Sequence, residues 1–127
     1  GSEHTIKMLN SGEGGQMIFE PAVIKVSVGD TINFKAVDMS HNSATIEGML
    51  PAGAEAWSGQ MNMDISVTLD TEGVYVYQCD PHVMMAMIGV IQVGEAVNMN
   101  EIKEASSKLK SSFVMNPERI DNYLNQL

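Results

Sequence analysis

Cysteine is nearly absent from this chain of 127 residues, which holds one, Cys79. A lone thiol closes no internal disulfide, so the fold must rest on its core, and Cys79 is either inert packing or chemically employed. Basic residues are scarce as well, seven against sixteen acidic ones, and the formal charge of -9 repels nucleic-acid backbones and anionic lipid headgroups. Nucleic-acid binding is excluded on that ground. The longest apolar run, Val83 to Ile91, falls far short of the roughly 20 residues of a membrane-crossing helix, so a soluble protein without a membrane partner is expected. Four prolines and eleven glycines are too few for a collagenous or low-complexity chain. With 44% hydrophobic and 18% charged residues, the composition is that of one globular domain.

What the chain does have is a succession of short β-type runs: Thr5 to Leu9, Val23 to Val28, Thr31 to Val37, Ile65 to Leu69, Val74 to Gln78 and Ile88 to Val93. Turn signals at Ser11-Gly12, Gly14-Gly15, Gly29-Asp30, Pro51-Ala52-Gly53 and Glu72-Gly73 separate them, which is the spacing of an antiparallel sandwich or barrel. From residue 97 the pattern changes. Asn100 is a candidate cap for a helix through Ser107 or beyond, and Asn116-Pro117 offers an N-cap and N1 proline ahead of Ile120, Tyr123, Leu124 and Leu127. The spacing of that last set draws one apolar stripe, fit to dock on the sandwich. The chain therefore divides into a sandwich over 3–96, which carries all the net charge, and a helical extension over 97–127. Gly1-Ser2 reads as a cloning remnant, with Glu3 opening the native chain and any signal peptide already removed.

Chemistry gathers in the stretch Cys79-Asp80-Pro81-His82-Val83-Met84-Met85-Ala86-Met87, between two expected strands. Cys79, His82 and Met87 offer thiolate, imidazole and thioether, a soft set that suits copper better than magnesium, calcium or manganese. His41, just after another expected strand, could be brought alongside by sandwich packing. Two histidines and a cysteine in a trigonal plane, with a long axial methionine, make a blue copper electron-transfer site. Other readings compete with this one. A lone cysteine is most often a small buried hydrophobe, and methionines, eleven here, are more often core filler than ligands. Structural zinc would want further strong ligands, for which His4 is the remaining histidine. A Cys79–His82 nucleophile pair would lack a third group to orient it. His4 itself reads as a surface histidine without companions.

The sequence resembles the pseudoazurins, small blue copper proteins of the cupredoxin superfamily. The resemblance runs through Lys7-Met8-Leu9-Asn10, Phe19-Glu20-Pro21-Ala22, Gly29-Asp30-Thr31, Val37-Asp38 with His41-Asn42, Pro51-Ala52-Gly53-Ala54-Glu55, and Cys79 with Pro81-His82. It implies a mainly β fold, an eight-stranded Greek-key sandwich with two C-terminal α-helices. It implies one type 1 copper ion held by His41, Cys79, His82 and Met87, with Ala86 standing where the family usually has glycine. The role implied is one-electron shuttling in the periplasm by a monomer that performs no substrate chemistry. Four residue ligands would leave no open metal position.

Around the metal, Asn42, next to His41, is either a bridge between the two ligand loops or an ordinary turn asparagine, and Pro81, lacking an N–H, withholds one hydrogen bond from the Cys79 sulfur. The resemblance also places Met17 near the imidazoles. His82 is the expected electron port, inside an apolar patch of Met17, Met39, Met85 and Ala86. Redox proteins are the implied partners, among them copper nitrite reductase, nitrous oxide reductase or a cytochrome. Many pseudoazurins carry lysines around this face, whereas the matching positions here are Ser11, Met39, Ala56, Ser58, Gln60 and Gln78. A partner with a basic or apolar docking face is therefore expected. Met39, Met61, Met63, Met84 and Met85, beyond the ligand set, suggest copper delivery or storage as the alternative.

Overall fold

The computed structural model describes residues 1–127. Eight strands run β1 (Glu3–Gly12), β2 (Gly15–Glu20), β3 (Val23–Val26), β4 (Asp30–Ala36), β5 (Ala44–Thr45), β6 (Ile65–Leu69), β7 (Gly73–Gln78) and β8 (Ile88–Val93). A 3-10 helix over Asp80–Met85 sits between β7 and β8, and two helices, α1 (Met99–Lys110) and α2 (Arg119–Leu124), follow. The strands form two four-stranded sheets, β2-β1-β4-β6 and β3-β8-β7-β5. This is the expected eight-stranded sandwich with two C-terminal helices. It departs from a purely antiparallel reading at two places, because β1 pairs parallel with β4 and β3 parallel with β8. Both pairs join strands distant in sequence, which local alternation does not reveal.

The two sheets bury their faces differently. β1 and β4 alternate, sending Ile6, Met8, Ile32 and Phe34 inward and leaving the other face to solvent. β7 and β8 are buried on both faces, so they read as nearly continuous apolar runs. Tyr75, Tyr77, Ile91 and Val93 enter the core between the sheets. Val74, Val76, Ile88 and Val90 pack outward against Ile102, Ile120 and Leu124 of the helices. Each aliphatic side chain so buried contributes about 1.5–3 kcal/mol, which is what holds the helical extension on the sandwich. Gly89 is required on β8 because a Cβ there would collide with the ring of Tyr77.

Several local expectations shift. β2 and β5 form where no strand was expected. β5 has two residues, too few for a pattern. β2 carries three consecutive apolar residues, Met17, Ile18 and Phe19, and both Ile18 and Phe19 are buried, so no alternation marks it; Met17 is left-handed, at φ 53°. Ser11-Gly12 belongs to β1, and the hairpin turns instead at Glu13-Gly14, flanked by the Gly12–Gly15 pair. Asn100 lies inside α1; the residue ahead of the helix is Asn98, whose side chain grips β7, donating to Val74 O at 2.9 Å and accepting from Val74 N at 2.7 Å. Asn116 has φ 54° and does not take the extended backbone of an N-cap, and α2 begins at Arg119. His4 is not solitary either, because its Nε2 meets Asp30 Oδ2 at 2.9 Å.

Candidate metal centre

Three segments meet at one end of the sandwich: the stretch after β4, the end of β1, and the connection from β7 to β8. The last begins at Cys79, extended at φ -94° and ψ 116°, then tightens into the 3-10 helix with Pro81 in its first turn. Pro81 suits that position because its missing N–H would have no partner there anyway. Ala86 ends the helix in the left-handed region at φ 58°. The two ends of the loop are tied together, Cys79 N donating to Met87 O at 3.0 Å and Met87 N to His82 O at 3.3 Å. Met87 is fully buried and belongs to the same apolar cluster as Cys79.

His41, Cys79 and His82 bring their ligand atoms within 4.8 Å of one another. Cys79 Sγ stands 3.6 Å from His41 Nδ1 and 3.3 Å from His82 Nδ1. A first-row metal bonded to sulfur at about 2.3 Å and to nitrogen at about 2.0 Å, in a trigonal plane, sets sulfur and nitrogen about 3.7 Å apart. The donor set therefore fits a soft metal ion such as copper.

The surroundings prepare each donor. His41 is wholly buried, and its Nε2 is engaged with Asn10 Oδ1 at 2.8 Å. An amide oxygen can only accept, so Nε2 carries the proton and Nδ1 presents its lone pair to the metal position. Burial and the neighbouring His82 push the His41 pKa down, against a smaller opposing pull from Asp38, which keeps the ring neutral. Burial pushes the Cys79 thiol up, while the backbone N–H groups of Asn42 and His82 oppose it.

Asn42 hydrogen-bonds across neighbouring loops. Its Oδ1 accepts from Asp80 N at 2.8 Å, and its Nδ2 donates to Asp80 Oδ2 at 2.9 Å and Gly59 O at 3.1 Å, joining three loops. Met17 is half-buried against the cluster that contains Cys79 and Met87. His82 is half-buried and Met39 is 74% exposed. Met85 is half-buried, but Ala86 is a correction: it is fully buried and offers no surface to a partner. Its left-handed backbone folds it beneath the loop, where its carbonyl is held by Arg119. The exposed apolar surface of this loop comes instead from Met84, with Val114 and Met115 beside it, since both of their N–H groups donate to Met84 O. Asn10 and Arg119 are functional neighbours that the sequence reading did not single out. Asn10 lay inside the Lys7–Asn10 motif, and nothing local marks Arg119.

Comparison with known proteins agrees with this geometry. Residues 6–94 match the family described as copper binding proteins, plastocyanin/azurin family. The chain is 39% identical to pseudoazurin of Paracoccus pantotrophus over 98% of its own length and 83% of that protein. Its fold matches a pseudoazurin from a Sinorhizobium with a TM-score of 0.80 at 51% identity, covering 81% of this chain and 82% of that one. It matches pseudoazurin from Methylobacterium extorquens AM1 with a TM-score of 0.78 at 42% identity, covering 80% and 83%. With fold, donor set and likeness in agreement, the chain belongs to the plastocyanin/azurin family of copper-binding proteins and, within it, to the pseudoazurins, blue copper electron carriers and not enzymes.

Proposed function

We propose that His41 Nδ1, Cys79 Sγ and His82 Nδ1 would hold one copper ion, with Met87 as a further, weaker ligand, and that single electrons would enter and leave through His82. The convergence of three soft donors, with His41 Nε2 already engaged by Asn10, carries this reading. When bound, copper supplies a one-electron couple between its cuprous and cupric states. The chain's own contribution is to hold the donors still, so that little rearrangement accompanies each transfer. Asn42 fixes the loops of His41 and Cys79 to each other, the buried apolar cluster around Cys79 and Met87 excludes water, and Pro81 withholds an N–H from the sulfur. His82, half-buried beside exposed Met84, is the group nearest to solvent.

The protein works in the periplasm as a monomer and meets redox proteins through the surface around His82, which draws on Met17, Met39, Met84 and Met85. With a charge of -9, that surface suits a partner with a basic or apolar docking face, among copper nitrite reductases, nitrous oxide reductases and cytochromes. Exposure of Met39, Met61, Met63 and Met84 favours copper delivery or storage as a second reading.

The absorption spectrum of the copper(II)-loaded protein tests the proposal. An intense thiolate-to-copper charge-transfer band is expected, and Cys79→Ser should abolish it; a protein that takes up copper(II) stoichiometrically yet stays colourless is not a blue copper carrier. Met87→Leu should cost less than about 1.5 kcal/mol of stability while raising the reduction potential, because losing a donor destabilises copper(II) more than copper(I). An unchanged potential would remove Met87 from the ligand set. Copper that remains bound while electrons pass to an acceptor distinguishes the carrier from a delivery protein.

A further inference from the structure

Of the carbonyls that lead into Met87, only Ala86 O is reached from the sandwich, by Ile88 N of β8 at 3.0 Å; the rest of the loop is held from outside it. Met84 O accepts from Val114 N at 2.7 Å and Met115 N at 3.1 Å, and Met85 O accepts from Asn116 Nδ2 at 3.3 Å. All these donors come from the segment between α1 and α2. Arg119, the first residue of α2, completes the set. Its Nη1 donates to Ala86 O at 3.3 Å, Met85 O at 3.4 Å and Met17 O at 3.0 Å, and its Nη2 donates to Gln16 O at 2.8 Å.

The guanidinium is unusual in two respects. Arg119 is 8% exposed, and every acceptor it finds is a neutral carbonyl, with no carboxylate among them. Two of those carbonyls belong to Met17 and Ala86, which both occupy the left-handed region, at φ 53° and 58°. That backbone is costly for any residue with a side chain and persists only where the surroundings enforce it. At Met17 it interrupts the β1–β2 ladder, whose pairs run from Leu9–Ile18 directly to Ser11–Gln16. The carbonyl released there turns to Arg119. A planar fork of five N–H donors can serve carbonyls from two chain segments at once, which a lysine ammonium cannot do with the same geometry.

We infer that Arg119 is the positioning residue of the ligand loop: its buried guanidinium fastens Met85 and Ala86 to Gln16 and Met17 and so sets the approach of Met87. The C-terminal helices, on this view, serve the metal centre as its outer brace. The effect on copper rests on the ligand set proposed above; the clamp itself belongs to the polypeptide. Its charge has a second consequence, because a buried cation near the loop disfavours copper(II) relative to copper(I) and raises the potential.

The test compares wild type, Arg119→Met and Arg119→Lys by amide hydrogen exchange in the copper-free protein and by reduction potential in the copper-loaded one. In both variants the amides of Ala86, Met87 and Ile88, each hydrogen-bonded in the native protein, should exchange at least tenfold faster, while those of Phe34 and Ile91 change less than threefold. The potential should fall in Arg119→Met and stay near the wild-type value in Arg119→Lys. Unchanged loop exchange, or an equal rise in loop and core, overturns the inference. If Arg119→Met does not fold, Arg119→Lys decides by the same exchange criterion. A wild type that binds copper(II) without colour would sink the carrier reading and leave the exchange result standing.

Discussion

Strand β1 carries an imidazole contact at each end. His4, near its start, and Asn10, near its finish, are separated by about 20 Å of extended backbone. At the first end His4 Nε2 meets Asp30 Oδ2 at 2.9 Å; at the second His41 Nε2 meets Asn10 Oδ1 at 2.8 Å. The distances are nearly equal, but the partners differ in charge. Asp30 also accepts from Ser2 N at 2.9 Å and Ser27 N at 3.0 Å, and together these donors, the His4 contact foremost, hold its carboxyl down at about 2. A carboxylate rewards a charged ring, so that end is a clasp. An amide oxygen fixes a tautomer without inviting a second proton, which leaves His41 neutral and Nδ1 free. The chemistry of each end follows from whether the acceptor carries a charge.

Breaking the contact at the metal end should have the largest effect. Asn10→Ala leaves the His41 ring free to turn or change tautomer, and copper affinity should drop about 10–100-fold in a chelator competition. Asn10→Asp makes the two ends alike. It should retain more of the affinity but lower the reduction potential, because negative charge beside the ligand favours copper(II). The copper-free protein gives a pH test as well. The His41 pKa lies below its unfolded value, so the unfolded chain takes up the proton first, and stability is lost as pH falls from the ordinary imidazole value through the folded one. Asn10→Asp raises the folded value and should flatten that loss in urea unfolding between about pH 7 and 5.

Which parts of this design can be read from sequence depends on how local they are. Cys79, His82 and Met87 fall on one loop between two strands whose apolar runs are plain, and Ile65–Leu69 and Ile88–Val93 form where the pattern places them. His41 joins them only through the expectation that sandwich packing brings the end of its strand alongside, which no local spacing specifies. The acceptors that meet the two rings were hidden, because Asn10 lies 31 positions from His41 and Asp30 lies 26 from His4. Arg119 is further away still, 102 positions from Met17. Such contacts are made by strand pairing and helix docking, and no spacing rule records them. β2 is hard to see for a different reason, since Met17, Ile18 and Phe19 follow one another without the alternation that would mark a half-buried strand.

At the clasp end, Asp30→Asn should have a smaller effect, confined to stability. Because the folded carboxyl titrates at about 2, below the ordinary value of about 3.9, its contribution is complete above about pH 4 and disappears as pH falls through the folded value. The variant should therefore be less stable than wild type at neutral pH, with the gap narrowing as a urea series descends from pH 5 toward pH 2. The copper spectrum should not change, since the clasp is a strand's length from the ligands. A gap that stays constant with pH would mean that Asp30 acts through packing and not through its charge.

The smallest effect is expected from His4→Gln, and it separates the contributions within the clasp. The His4 side chain is 32% exposed, so its attraction to Asp30 is screened by solvent. The contact is nevertheless the leading cause of the low carboxyl value, ahead of the backbone N–H groups of Ser27 and Ser2. Glutamine can still donate one hydrogen bond but brings no charge. Asp30 should then titrate higher than in wild type while remaining below the ordinary carboxylate range, because the two backbone donors persist. Carboxyl-carbon NMR across an acid titration measures this directly. The acid loss of stability should begin at a correspondingly higher pH, whereas stability at pH 7 should fall less than in Asp30→Asn. If the Asp30 titration does not move, the backbone donors alone set its value, and the His4 contact is a bystander of the turn that Ser2 and Ser27 close.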